Sequence, residues 1–390
     1  MRLEDICTVF TDGDWIESKD QSESGIRLVQ TGNIGEGRYL EKEARAKYIS
    51  EETFYKLKCT EIFPGDILVS RLPEPVGRAC IVPEKTERMI TAVDCTICRP
   101  NESLISKEYL CYFMRSNAYY TRLLGNVTGT TRKRISRKNL GSVELQIPTK
   151  DEQKIVVERL DCLVKAIDSR TKEFQLLDEL IKARFVEMFG DAVDNPMGWE
   201  KKSLQEIVTD DCTISYGIVQ TGDNQEEGVP VFRPVDIVNR VPRLDELKKT
   251  TEEISNKYKR TILKGREMLI TVRANIADTC IVGEEFKGCN VGRGIVPIRT
   301  QEDIMTLEFL KYLIDSKHLN DEIKNKAKGI TLLQLNMEDL REIKLIIPPL
   351  NQQNVFVKFV KQVNKSKVAV QKALDETQLL FNSLMQEYFG

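Results

Sequence analysis

Histidine is nearly absent from this chain: His318 is the only one in 390 residues. A metal site built on paired imidazoles is therefore excluded. His318 itself falls in a helix-like stretch opened by Thr306, where an exposed or capping role is expected rather than catalysis. Tryptophan is limited to Trp15 and Trp199, too few for the aromatic stacking of a sugar-binding surface. No Gly-x-x-x-x-Gly-Lys-[Ser/Thr] loop occurs, and Gly35-Glu-Gly37 lacks the third glycine and following helix of a dinucleotide site. No stretch approaches the roughly 20 apolar residues that span a bilayer. Arg2-Leu3-Glu4-Asp5 after Met1 is not a signal-peptide core. A cytoplasmic protein with no membrane partner is expected.

Net charge is lacking too. Lys plus Arg number 58 and Asp plus Glu 60, for a formal charge of −2. A nucleic-acid binder is usually basic, so any DNA-facing surface here must be local. Ten cysteines are scattered without a dense framework, which fits reduced thiols better than a disulfide scaffold. Cys95-Thr-Ile-Cys98 has the spacing of half a zinc site, but no second pair follows, and buried thiols are expected in place of a metal. Asp278 with Glu285 and Lys287 imitates a nuclease trio. The segment Cys280–Cys289 reads instead as a polar hairpin turn, and its mate from Cys80 carries no such trio. No catalytic residue, metal or cofactor is assigned to the chain.

What is present is a unit written twice. At 390 residues, 41% apolar and 30% charged, the chain is a globular protein of two or three domains. Gly65, Gly129, Thr131, Leu140, Pro148 and Gln153 recur 200 positions later as Gly265, Gly329, Thr331, Leu340, Pro348 and Gln353. Cys80-Ile81-Val82 recurs as Cys280-Ile281-Val282, and Glu187-Met-Phe-Gly190 as Glu387-Tyr-Phe-Gly390. Near the start the register slips by one, with Leu3 and Ile6 matching Leu204 and Ile207.

Each copy has the same internal order. Short apolar runs such as Ile67-Leu68-Val69, broken by Gly, Pro and Asn, predict a β-rich region. One helix follows, capped by Ser106 and carrying Leu110, Phe113, Met114 and Asn117 on one face; its mate opens at Thr306. A strand ending in Ile147-Pro148, mirrored by Ile347-Pro348, closes the globular part. Beyond each proline, apolar residues step by four and three. Val156, Leu160, Leu163, Ile167, Arg170, Phe174, Leu177, Ile181, Arg184 and Met188 form one seam, and Phe356 to Tyr388 its copy. Such a helix is roughly 54 Å long and alone would expose its stripe, so the two should pair. Arg170, Arg184 and Lys367 within the seams are expected to be register devices or snorkelling ends.

Candidate DNA contacts come from the loops. Thr130-Thr131-Arg132-Lys133-Arg134-Ile-Ser-Arg137-Lys138 holds five basic residues and no acid. Its hydroxyls and guanidiniums suit phosphate oxygens and guanine edges; Arg71 is a further candidate. The second copy is not basic at that place, so its candidates are Arg233, Arg273, Arg293 and Lys328, with Thr331 and Gln334 as base readers. Two copies that keep a framework and differ in polar loops are read as one scaffold for two DNA sequences.

The order of globular region, long helix, globular region, long helix resembles the specificity subunits of Type I restriction–modification enzymes. Ile147-Pro-Thr-Lys-Asp-Glu-Gln153 and Ile347-Pro-Pro-Leu-Asn-Gln-Gln353 carry the resemblance, together with Met188-Phe-Gly-Asp191 and Asn195-Pro-Met-Gly-Trp-Glu200. The first of these has Thr149 where the family often has a second proline. The resemblance covers the whole chain and implies an α+β fold. Two similar β-rich target recognition domains would be separated by an antiparallel pair of long coiled-coil helices, with pseudo-twofold symmetry. The expected boundaries are 1–149 and 191–349 for the domains and 150–190 and 350–390 for the helices, with Met1 near Gly390. Each domain would read half of an asymmetric bipartite site in double-stranded DNA. The helices would set the spacing and dock two methyltransferase subunits, through which restriction subunits join where a system has them. S-adenosylmethionine, ATP and Mg would belong to those partners, not to this chain.

Two other readings compete. A self-contained DNA-processing enzyme would need an Asn/Asp-Pro-Pro-Tyr/Phe methyltransferase signature, but Asn195-Pro196 is followed by Met197. A non-catalytic coiled-coil scaffold for another ligand, such as a carbohydrate, would have little use for a loop as basic as 130–138.

Overall fold

The computed structural model describes residues 1–125, 127, 129, 133–237, 243–329 and 332–390. The chain divides into two units, Met1–Thr171 with Gln371–Gly390, and Lys172–Val370. Each unit thus takes one globular region and half of each long helix.

In the first unit an antiparallel sheet runs in the order Cys7–Asp12, Cys95–Pro100, Ile67–Ser70, Ala79–Ile81. A second sheet holds Tyr48–Ile49, Ile26–Val29, Met89–Thr91 and Glu61–Ile62, with Ile26–Val29 and Met89–Thr91 parallel. The run Ile67-Leu68-Val69 is buried on both faces because alternate side chains enter different cores. Ile67 and Val69 pack with the helices, whereas Leu68 packs with Val29, Ile62 and Val82. The second unit repeats this. In its sheet Thr279–Val282, Glu267–Thr271, Ile295–Ile298, Met268 and Ile270 face the helical core while Leu269 faces Phe232 and Val282.

The expected single helix after Ser106 is two. Lys107–Phe113 and Asn117–Leu124 are separate because Ser116 begins a new helix, its hydroxyl accepting from the Tyr119 amide at 3.2 Å. Leu307–Ile314 and Lys317–Asn325 are their counterparts, and His318 belongs to the latter. A third short helix, Arg137–Gly141 or Met337–Arg341, follows in each unit, capped by Ser136 or Asn336. The closing strand Lys344–Ile347 pairs with Glu200–Ser203, whereas in the first unit the described residues show at this place an isolated bridge between Arg2 and Glu144. Met1 and Gly390 both border Arg122 and Gln146.

The long helices are Lys150–Phe189 and Leu350–Phe389, each of 40 residues. They pair antiparallel within each unit. In the first, Val156 and Leu160 share a core with Phe381, Met385 and Phe389; in the second, Ile181, Phe185 and Phe189 share one with Phe356, Val357, Val360 and Val363. Towards their C-termini the buried stripe leaves the strict heptad. Phe185 and Phe189 are buried while Arg184 and Met188 are half-buried, and Met385 and Phe389 likewise displace Leu384 and Tyr388. A helix with 3.6 residues per turn drifts off a seven-residue repeat, and here the drift turns the stripe into the globular core. The polar seam residues have local partners. Arg170 donates to the Ala373 carbonyl at 2.8 Å, and Lys367 lies 2.6 Å from Asp178 and over the Phe174 ring.

Candidate nucleic-acid interface

In the first unit the strand ends bring Asp12, Arg71 and Asp94 together. Arg71 follows the strand Ile67–Ser70, and its backbone N–H donates to the Asp94 carbonyl at 2.9 Å while its carbonyl accepts from Ile135 at 3.3 Å. The Arg71 side chain is buried, donates to the Val93 carbonyl at 2.5 Å and lies 3.4 Å from Asp12. Burial lowers its pKa from the ordinary value, and Asp12 opposes that shift. Thr96 fixes Asp12 through a 3.0 Å hydrogen bond. The segment that follows then places Arg134 2.9 Å from Asp94 and Arg137 3.9 Å from Asp12, each side chain 48% exposed. Lys133 is exposed. Thr130, Thr131 and Arg132 lie outside the described residues. Arg71 thus organises the face from beneath, and Lys133, Arg134 and Arg137 are its accessible cations.

The second unit builds the same place with different side chains. Val272 donates to the Gly294 carbonyl at 2.8 Å and accepts from Leu335 at 2.9 Å. Hence Val272 stands where Arg71 does, Gly294 where Asp94 does and Gln334 where Arg134 does. Gln334 bridges Arg273 on one side and Lys328 on the other. Gly294 is pressed against Pro234: a Cβ there would come within 2.4 Å of the proline ring and 3.4 Å of Arg273. Arg233, Arg273, Arg293, Lys328 and Gln334 are therefore gathered round one backbone crossing, although the sequence spreads them over about a hundred positions. Thr331 lies outside the described residues.

These cations are not equivalent. Arg233 gives its guanidinium to Asp236 in two bonds of 3.0 and 2.8 Å, a pairing that raises its pKa. Arg273 and Arg293 are half-buried, and neither makes an ion pair among the described residues. The Nε of each is buried without a hydrogen-bond partner. Lys328 is exposed. Such guanidiniums retain donors for an anion arriving from outside. Sequence reasoning sought cations and hydroxyls and so missed Asp12 and Asp94, which come from distant strands and carry no local motif.

The chemical look-alikes resolve into structure. Cys95 and Cys98 are buried, and burial pushes the Cys95 thiol up to about 12. Asp278 and Glu285 lie at opposite ends of the strand Thr279–Val282. His318 contacts Asp191 at the surface. No group of three His, Cys, Asp or Glu residues suited to a metal occurs among the described residues. No helix among them is long and apolar enough to cross a membrane.

The chain is similar to the EcoBI Type I restriction enzyme specificity subunit of Escherichia coli, with 24% identity over 291 residues, 69% of this chain and 61% of that protein. The match thus spans less than two thirds of that relative. Its fold is shared with a solved structure from work on complex assembly and conformational transition of the type I R-M system. That structure has a TM-score of 0.61 and 18% identity, covering 100% of this chain and 96% of that one. The Type I restriction-modification system S subunit from M. genitalium gives 0.57 and 13%, covering 100% and 95%. A family model described as the Type I restriction modification DNA specificity domain matches twice, at residues 1–179 and 196–377. The chain belongs to that family and carries its domain in two copies, which is what the 200-residue register encodes.

Proposed function

We propose that this chain selects the DNA sequence on which a Type I restriction–modification complex acts, each globular region reading one half of an asymmetric bipartite site. The observation that carries this reading is the pair of matching faces. One backbone crossing is built twice, with Asp12, Arg71, Asp94, Arg134 and Arg137 on one copy and Arg273, Arg293, Lys328 and Gln334 on the other. A scaffold held constant while its polar side chains change is what reading two different half-sites requires. The long helices set the separation of the half-sites and present surface for two methyltransferase subunits. Those subunits supply the chemistry with S-adenosylmethionine; ATP and Mg serve restriction subunits joined through them. The complex works in the cytoplasm. The family is that of a specificity subunit, which is not itself catalytic.

The test is reconstitution. The chain with its methyltransferase partner should retain duplex DNA in a salt-dependent manner and methylate one bipartite sequence. The chain alone should neither methylate nor cleave. Turnover by the purified chain, with contamination excluded, overturns the reading, as does methylation by the complex without sequence preference.

A further inference from the structure

Resting on that reading, we infer that the position held by Arg134 in one copy and Gln334 in the other is a base-reading position, and that the two half-sites differ there as guanine against adenine. The two residues occupy the same place by hydrogen-bond register. Ile135 donates to the residue after one central strand and Leu335 to the residue after the other. Ser136 and Asn336 then cap the next helix, accepting from amides of Asn139 at 3.1 Å and Glu338 at 2.9 Å. Leu140 and Leu340 anchor that helix fully buried. So the backbone that follows the side chain is fixed in the same way in both copies, while the side chain differs.

The surroundings differ in the way each side chain needs. Arg134 is 48% exposed and has Asp94 at 2.9 Å. A guanidinium has five donors in a rigid fork, and an exposed fork of that geometry suits guanine O6 and N7 together. In the other copy Gly294 stands at the place of Asp94, so the acid beside Arg134 has no counterpart at that position beside the neutral amide of Gln334. A carboxylate there would compete for the amide N–H that adenine N7 must receive, whereas the amide oxygen accepts from adenine N6. The phosphate-neutralising task falls to Arg273 and Lys328, whose backbones flank that of Gln334 on either side as its β-bridge partners. In the first copy Lys133, beside Arg134, is the exposed cation for that task. Thus one place in the fold pairs an arginine with an acid, or a glutamine with cations.

The experiment reconstitutes the chain with its methyltransferase partner and maps the methylated sequences for wild type, Arg134→Gln, Arg134→Lys and Gln334→Arg. Wild type should show an obligatory G·C pair in one half-site and an A·T pair at the corresponding place in the other. Arg134→Gln should shift that one pair from G towards A, with roughly a 10- to 100-fold change in preference, and leave the other half-site unchanged. Gln334→Arg should do the converse. Arg134→Lys keeps the charge but loses the fork, so it should relax the position while retaining most of the salt slope. Thermal melts identify any variant that has lost its fold, and the lysine variant still decides the matter if the glutamine variant melts early. Folded variants that leave the methylated sequence unchanged overturn the inference. So does a uniform loss across all sequences with a lower salt slope, which marks a phosphate contact. Wild-type complex that methylates nothing, or methylates without preference, fails the parent reading instead.

Discussion

Gln153 and Ser106, 47 residues apart, are joined by one buried amide: Gln153 Oε1 accepts from the Ser106 backbone N–H at 2.8 Å. The same side chain donates to the carbonyls of Leu104 and Pro148, both at 2.9 Å. Gln353 repeats all three bonds, with Thr306 at 3.0 Å, Ile304 at 2.9 Å and Pro348 at 2.8 Å. The glutamine of the repeated Ile-Pro motif therefore pins the start of each long helix to the loop before the Ser106 or Thr306 helix. Both glutamines are 1% exposed or less.

Replacing Gln153 or Gln353 by Ala strands one backbone donor and two acceptors in the interior. The expected loss is about 2–3 kcal/mol for each. Glutamate should not rescue it, because it keeps the acceptor and loses both donors. Urea denaturation of the single variants measures this, and a loss under about 0.5 kcal/mol would show that water satisfies the groups.

A buried carboxylate is paired at matching places. Arg99 holds Asp66 through bonds of 2.7 and 2.8 Å, and Arg299 lies 3.1 Å from Glu267. The Asp66 side chain is 2% exposed and that of Glu267 0%. Arg99→Ala should destabilise the first unit by about 2–3 kcal/mol, below the range for a fully buried pair because the arginine is partly solvated. The double variant Arg99→Ala with Asp66→Ala should recover part of that loss. A double variant no more stable than Arg99→Ala argues against an unpaired-charge cost.

Phe356 packs against Phe185, Phe189, Phe309 and Tyr312 at ring separations of 5.6, 5.6, 6.2 and 5.6 Å. Phe381, on the same long helix but in the core of the first unit, meets only Tyr112 among the rings of the described residues, at 6.5 Å, besides the Arg115 guanidinium. Phe356→Ala should cost about 3–5 kcal/mol, and Phe381→Ala distinctly less. Equal losses in thermal melts would show that cavity relaxation outweighs these ring contacts.

Thiol chemistry reports on burial. Cys162 is exposed, Cys7 intermediate and the other eight cysteines are buried. Burial pushes the thiols of Cys111 and Cys289 up to about 11 and that of Cys280 to about 12. A raised pKa means less thiolate at any working pH, so at pH 8 these groups stay protonated as well as hidden. A thiol reagent should label the native protein first at Cys162, and Cys162→Ser should remove that fast phase. Rapid labelling of several thiols in native protein would contradict the packing.

On DNA, Arg273→Ala, Arg293→Ala and Lys133→Ala should each reduce the salt slope by about 1 if each neutralises one phosphate. Arg71→Ala should instead lower the stability of its own unit, since the side chain is buried beside Asp12. Replacing residues 1–146 by the same region of a relative should change one half of the methylated site and leave the other intact. A change in both halves would show that the regions do not read independently.

The sequence by itself determined the repeat, because 200-residue spacing of glycines, prolines and glutamines survives any folding detail. It determined the long helices as well, since a sustained four–three pattern has only one regular solution. It misjudged the single helix after Ser106, because the Ser116 cap lies inside a continuous apolar pattern. It also placed Arg184 and Met188 on the buried stripe, where helix drift puts Phe185 and Phe189. Only tertiary structure decided how the cations differ. Arg71, Arg134 and Arg273 look alike in sequence, yet one is buried, one is aligned by an acid and one lacks an ion pair among the described residues. The reason is physical. Helical and strand periodicities are local, whereas the meeting of Asp94 with Arg134, or of Gln334 with Arg273, depends on strand ends brought together from distant stretches of the chain.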